Sequence, residues 1–67
     1  MTTTPDIWHA AVAMMDRYGA TAVAEAAIRA TENHARGDLP RTAAWQRVVE
    51  AIVLLESDRR SADETLH

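Results

Sequence analysis

Three histidines and ten carboxylates are the groups in this sequence that could bind a metal or move a proton. His9 follows Asp6 within one helical turn, but no two histidines have the four-residue spacing of a helical metal site. A metal centre needs three or four converging ligands. No nucleophile elbow, phosphate-binding glycine loop or histidine–acid dyad can be read from the chain. We therefore expect no metal, no cofactor and no enzymatic activity, with His34 and His67 as ordinary polar residues.

A second group of polar residues has the types that contact DNA. A turn containing Gly37 precedes a predicted helix whose first turns carry side chains able to contact bases or phosphates: Arg41, Thr42, Gln46 and Arg47. The same helix is the most apolar in the chain, and the net charge of −3 provides no attraction to nucleic acid. A DNA-binding transcriptional regulator is therefore the alternative function rather than the favoured one.

The elements that carry these residues are predicted to be helices, because the apolar residues recur with helical spacing and no strand-like alternation is present. A first helix over 5–18 has Thr4 as its N-cap and Pro5 at its first position. Gly19 supplies the left-handed residue that commonly ends a helix. The residues expected to face the core share one stripe: Ile7, Ala11, Met14 and Tyr18.

A second helix is predicted over 21–36, with a narrow stripe of alanines that lets neighbouring helices approach closely. Glu25 precedes Arg29 by four residues, and Glu32 precedes Arg36 by four, which is the favourable order for ion pairs along a helix. These pairs predict that the charged side chains stabilise this helix locally.

A third helix is predicted over 40–57. Proline disfavours helical geometry in the residue before it, so Leu39 is expected to be extended and Pro40 to begin the helix. Residues 58–67 are polar and charged, and they are expected to form a disordered tail.

The chain of 67 residues is long enough for one domain, which we place at residues 1–57 as an all-α, three-helix unit. A domain of this size buries only about 60% of the surface that its unfolded chain exposes. The chain has no cysteine, so disulfides and thiolate zinc sites cannot add stability. No secretory signal pattern and no apolar run of about 20 residues is present, which predicts a cytoplasmic protein.

The apolar stripe of the third helix is wider than one small domain can cover. We expect part of the apolar surface to meet a second chain, as a homodimer or with a protein partner. The residues predicted for this interface are Trp8, Met15, Val49, Val53 and Leu54. The favoured function is therefore that of a small interaction or regulatory protein without membrane association.

Several short patterns resemble those of an uncharacterised family of small all-helical bacterial proteins. They are Ile7-Trp8, Gly19, Ala27-Ile28-Arg29-Ala30, Gly37-Asp38, Trp45, Val48, Ala51-Ile52 and Leu55. The resemblance covers most of residues 6 to 56. It implies the helical fold and assigns no catalytic residue.

Overall fold

The structure is a computed structural model that describes residues 7–65. Its elements in chain order are α1 (Ile7–Tyr18), a 3-10 turn (Gly19–Thr21), α2 (Ala22–Ala35) and α3 (Leu39–Thr65).

No coil residue separates α1 from α2, so the described chain consists of two helical blocks, residues 7–35 and 39–65. The first block bends at the 3-10 turn, where α2 turns back to contact α1. The predicted all-α class is confirmed for the described residues. The prediction of three separate helices is corrected in one respect. The chain stays helical through the bend, so α1 and α2 form one continuous block, and the non-helical residues of the described chain are those at 36–38, before α3.

The bend depends on Gly19, which has a φ of 57°. This left-handed conformation strains residues that carry a Cβ atom, and glycine adopts it readily. The Thr21 hydroxyl donates a hydrogen bond to the Tyr18 carbonyl oxygen at 2.9 Å, which satisfies one of the free carbonyl groups at the end of α1. The predicted end of the first helix is thereby confirmed. Thr4 and Pro5, which are predicted to begin the first helix, lie outside the described residues.

The turn between α2 and α3 is a Schellman motif closed by Gly37, whose φ is 78°. The Gly37 N–H donates to the His34 carbonyl and the Asp38 N–H donates to the Asn33 carbonyl, both at 2.9 Å. Asp38 then caps α3, because its Oδ1 accepts a hydrogen bond from the Arg41 N–H at 3.1 Å. One short segment therefore ends α2 and begins α3.

The bounds of α3 correct two predictions. Leu39 was expected to be extended, but it is the first residue of α3, with Pro40 second. Proline is tolerated there because backbone N–H groups in the first turn have no partner within the helix. The helix also continues past residue 57 to Thr65, where a disordered tail was expected. No glycine or proline follows Pro40, and the segment contains the helix-forming residues arginine, alanine and glutamate.

The core lies where α1 and α2 meet α3, which contacts α2 more extensively than it contacts α1. Ile52 is the largest fully buried side chain. The rest of the core is small: Ala11 and Met14 from α1, Ala22 and Ala26 from α2, and Val48 and Ala51 from α3. Because most of these residues are alanines, the helices approach closely and leave larger apolar side chains at the edges.

Candidate protein-interaction site

The two histidines that the structure describes, His9 and His34, lie on different helices. His9 is exposed on α1 and His34 is exposed on α2, and His67 lies outside the described residues. Among the side chains that the structure describes, those of residues 7–59, no group of three histidines or carboxylates is arranged to hold a metal ion.

Two of the four residues considered for DNA contact serve α3 itself. Thr42 is only 6% exposed, and its hydroxyl donates to the Asp38 carbonyl oxygen at 2.7 Å. Arg41 places its Nε 3.5 Å from Oδ2 of Asp38, in an exposed pair within the first turn of the helix. The Thr42 hydroxyl is therefore used within the fold, and the Arg41 charge is partly neutralised.

The other two residues of that group lie on different surfaces. Gln46 lines a groove between α2 and α3, whereas Arg47 lines a groove between α1 and α3. Gln46 also shares a smaller pocket with Thr42, so the structure brings these two residues together and places Arg47 in a different groove.

The residues predicted for a protein interface fall into an exposed and a half-buried set. Trp8, Val53 and Leu54 are 53%, 50% and 58% exposed. Met15 and Val49 are half-buried and pack against the core, so less of their surface is available to a partner.

Trp8 and Leu54 come together in the groove between α1 and α3, which has a volume of about 250 Å³. We call this surface the α1–α3 face and define it by the residues that line the groove: Ile7, Trp8, Arg47, Glu50, Ala51 and Leu54. Apolar side chains from two helices therefore flank one arginine and one glutamate.

Val49 does not belong to this surface. It lines the second groove, of about 430 Å³, between α2 and α3. Glu50 lines both grooves, which places it on the ridge between them. The five predicted interface residues are thus divided between different surfaces, and Trp8 with Leu54 forms the pair that the fold assembles.

Sequence reasoning missed a polar cluster centred on Arg29. Its Nη2 donates to the Tyr18 hydroxyl at 2.8 Å. Its guanidinium carbon lies 5.4 Å from the ring centroid of Trp45 and 5.9 Å from that of Tyr18. The Arg29 Nε is buried without a hydrogen-bond partner. Arg29 therefore joins α1, α2 and α3, a role that the predicted ion pair with Glu25 does not describe.

Comparison with models of protein families, with curated proteins and with solved structures finds no match to this chain. The resemblance to a family of small helical proteins therefore stays a prediction. In the part of the chain that the structure describes, no helix is long and apolar enough to cross a membrane.

Proposed function

We propose that this chain is a non-enzymatic interaction or regulatory protein of the cytoplasm that binds a second copy of itself through the α1–α3 face. The observation that carries the proposal is the joint exposure of Trp8 and Leu54 on one groove. Tryptophan is among the residues enriched at the centres of protein interfaces.

The size of the chain supports a second copy as the partner. A domain of 67 residues buries only about 60% of the surface that its unfolded chain exposes. This chain has no cysteine, so no disulfide adds to its stability. In a two-fold dimer the same surface of both subunits lies in the interface, so each exposed apolar side chain is buried twice. The two-fold dimer is also the commonest assembly of soluble proteins.

The apolar gain alone gives only a weak dimer. Full burial of a large apolar side chain stabilises by about 1.5–3 kcal/mol, and Trp8 and Leu54 are already about half buried. Two such side chains from each subunit therefore contribute about 4 kcal/mol. Association costs about 4–15 kcal/mol in lost freedom. The charged residues of the face must therefore also be complementary for the dimer to be stable.

The test compares Leu54→Arg with the matched control Ile28→Arg. Ile28 is 49% exposed on α2 and is not part of the α1–α3 face. Light scattering across a dilution series should show a dimer for the unmodified chain and for Ile28→Arg, and a monomer for Leu54→Arg. Circular dichroism at each concentration checks that both variants keep their helical content.

Two results would contradict the proposal. One is a monomer at every concentration of the unmodified chain. The other is equal dissociation by Leu54→Arg and Ile28→Arg, which would place the contact outside the α1–α3 face.

A further inference from the structure

Helix α3 presents a line of four exposed residues on its solvent side: Ala43, Arg47, Glu50 and Leu54. Their spacing of four, three and four residues keeps them on one side of a helix. The line reads small apolar, positive, negative, large apolar. Its two charges lie equally far from the midpoint between positions 48 and 49, and so do its two apolar residues.

We infer that two copies of α3 pair antiparallel across a two-fold axis at that midpoint. Arg47 then lies opposite Glu50 of the partner, and Ala43 lies opposite Leu54 of the partner. Symmetry makes each of these contacts occur twice. The inference rests on the proposed self-association through the α1–α3 face and specifies its geometry.

The charges favour the antiparallel arrangement over a parallel one. Parallel pairing in register sets arginine against arginine and glutamate against glutamate, and like charges that face each other destabilise an interface. Antiparallel pairing converts both positions into opposite-charge pairs. The same two residues therefore favour one orientation and disfavour the other.

The apolar ends of the line fit this register. Leu54 shares its groove with Trp8, so the surface there is already occupied by two large side chains. Ala43 of the partner presents only a methyl group and leaves room for both. A small residue opposite a large one is the arrangement that lets two helices interdigitate.

The decisive experiment uses two charge-reversed proteins, Arg47→Glu and Glu50→Arg, each alone and mixed in equal amounts. In either protein alone, all the charge pairs across the axis have like charges. In the mixed dimer, all of them have opposite charges. Both variants keep a net negative charge, so overall charge does not attract them to one another.

We expect each variant alone to dimerise at least tenfold more weakly than the unmodified chain, and the mixture to recover the unmodified affinity by light scattering. The double variant Arg47→Glu/Glu50→Arg should also recover it. Parallel pairing predicts instead a mixed dimer that is tighter than the unmodified one, and single variants that dimerise no more weakly than the unmodified chain. Either of those results overturns the antiparallel register.

Cysteine cross-linking tests the register separately, because the unmodified chain has no cysteine. A mixture of Ala43→Cys and Leu54→Cys should form a disulfide between the two proteins on oxidation. Ala43→Cys alone should not, because the register separates the two copies of position 43 by about 16 Å along the helix axis at 1.5 Å per residue. A mixture of Ile28→Cys and Leu54→Cys is the control, and its cross-linking at the same rate would overturn the register.

Failure of the geometry and failure of the self-association give different results. If the unmodified chain is a monomer, both proposals are wrong. If it is a dimer that Leu54→Arg dissociates but the mixture of charge variants does not recover, the α1–α3 face is retained and the antiparallel register is wrong.

Discussion

Arg29 is the residue whose replacement most directly tests how the helices are held together. It contacts Tyr18 at the end of α1 and the ring of Trp45 on α3. The perturbation is a double-mutant cycle of Tyr18→Phe and Arg29→Met. Phenylalanine keeps the ring without the hydroxyl, and methionine keeps an apolar stem without the charge.

The expected magnitudes follow from these contacts. A hydrogen bond from a charged donor stabilises by about 1.5–3 kcal/mol, and we take the lower value because this bond is only partly buried. The two ring contacts add about 0.5–1 kcal/mol each. The buried Nε has no partner, so removing it also removes a desolvation cost of about 1 kcal/mol and partly offsets these losses. Arg29→Met should therefore lower the free energy of unfolding by about 2 kcal/mol.

Tyr18→Phe should cost about 1.5 kcal/mol, and the double variant should cost no more than Arg29→Met alone. The coupling energy is then about 1.5 kcal/mol. Glu25 provides the control, since an ion pair four residues apart on a helix contributes only about 0.5 kcal/mol or less. Urea unfolding followed by circular dichroism, at one fixed protein concentration, measures all the variants. A Glu25–Arg29 coupling larger than the Tyr18–Arg29 coupling would refute the reasoning.

Substitutions at three further positions test the turn and the core by the same unfolding measurement. Gly37→Ala should cost about 1–2 kcal/mol from backbone strain alone, because φ is 78° and a Cβ atom there would meet no atom within 4 Å; no loss would contradict the left-handed turn. Asp38→Ala should cost about 1 kcal/mol by removing the N-cap of α3, whereas Asp38→Asn should cost much less. Ile52→Ala should cost about 2–5 kcal/mol and Ile52→Val about 0.5–1.5 kcal/mol, since Ile52 is fully buried; equal costs would show that this position is not in the core.

Local patterns were sufficient to predict much of the fold. The stripe of α1 is confirmed, because Ala11 and Met14 are buried while Ile7 and Tyr18 are half-buried. The helix ends predicted at Gly19 and Gly37 are also confirmed, since both residues have a positive φ. Glycine adopts such a φ readily, so residue type alone is enough to predict these turns.

Buried polar residues were not predicted, because their partners are backbone groups. Asn33 and Thr42 are 9% and 6% exposed. Each side chain donates to a carbonyl oxygen four residues earlier, at 2.7 Å in both cases. Such bonds satisfy the polar side chain locally, so it can be buried without a partner on another helix. A polar residue type therefore does not by itself predict an exposed position.

The composition of the candidate site depends on how α3 is rotated against its neighbours. Val49 and Leu54 belong to one broad apolar stripe in the sequence, yet they line grooves on opposite sides of Glu50. The contact of Arg29 with Tyr18 joins residues eleven positions apart on different helices. Helical periodicity predicts which residues of one helix share a face, and the packing between helices determines which faces meet.

The mass of the unmodified chain in solution tests the central proposal most directly. Light scattering over a hundredfold dilution should show twice the chain mass at high concentration, falling toward the chain mass only at the lowest concentrations. A chain that is fully helical by circular dichroism and has the monomer mass throughout would contradict self-association through the α1–α3 face.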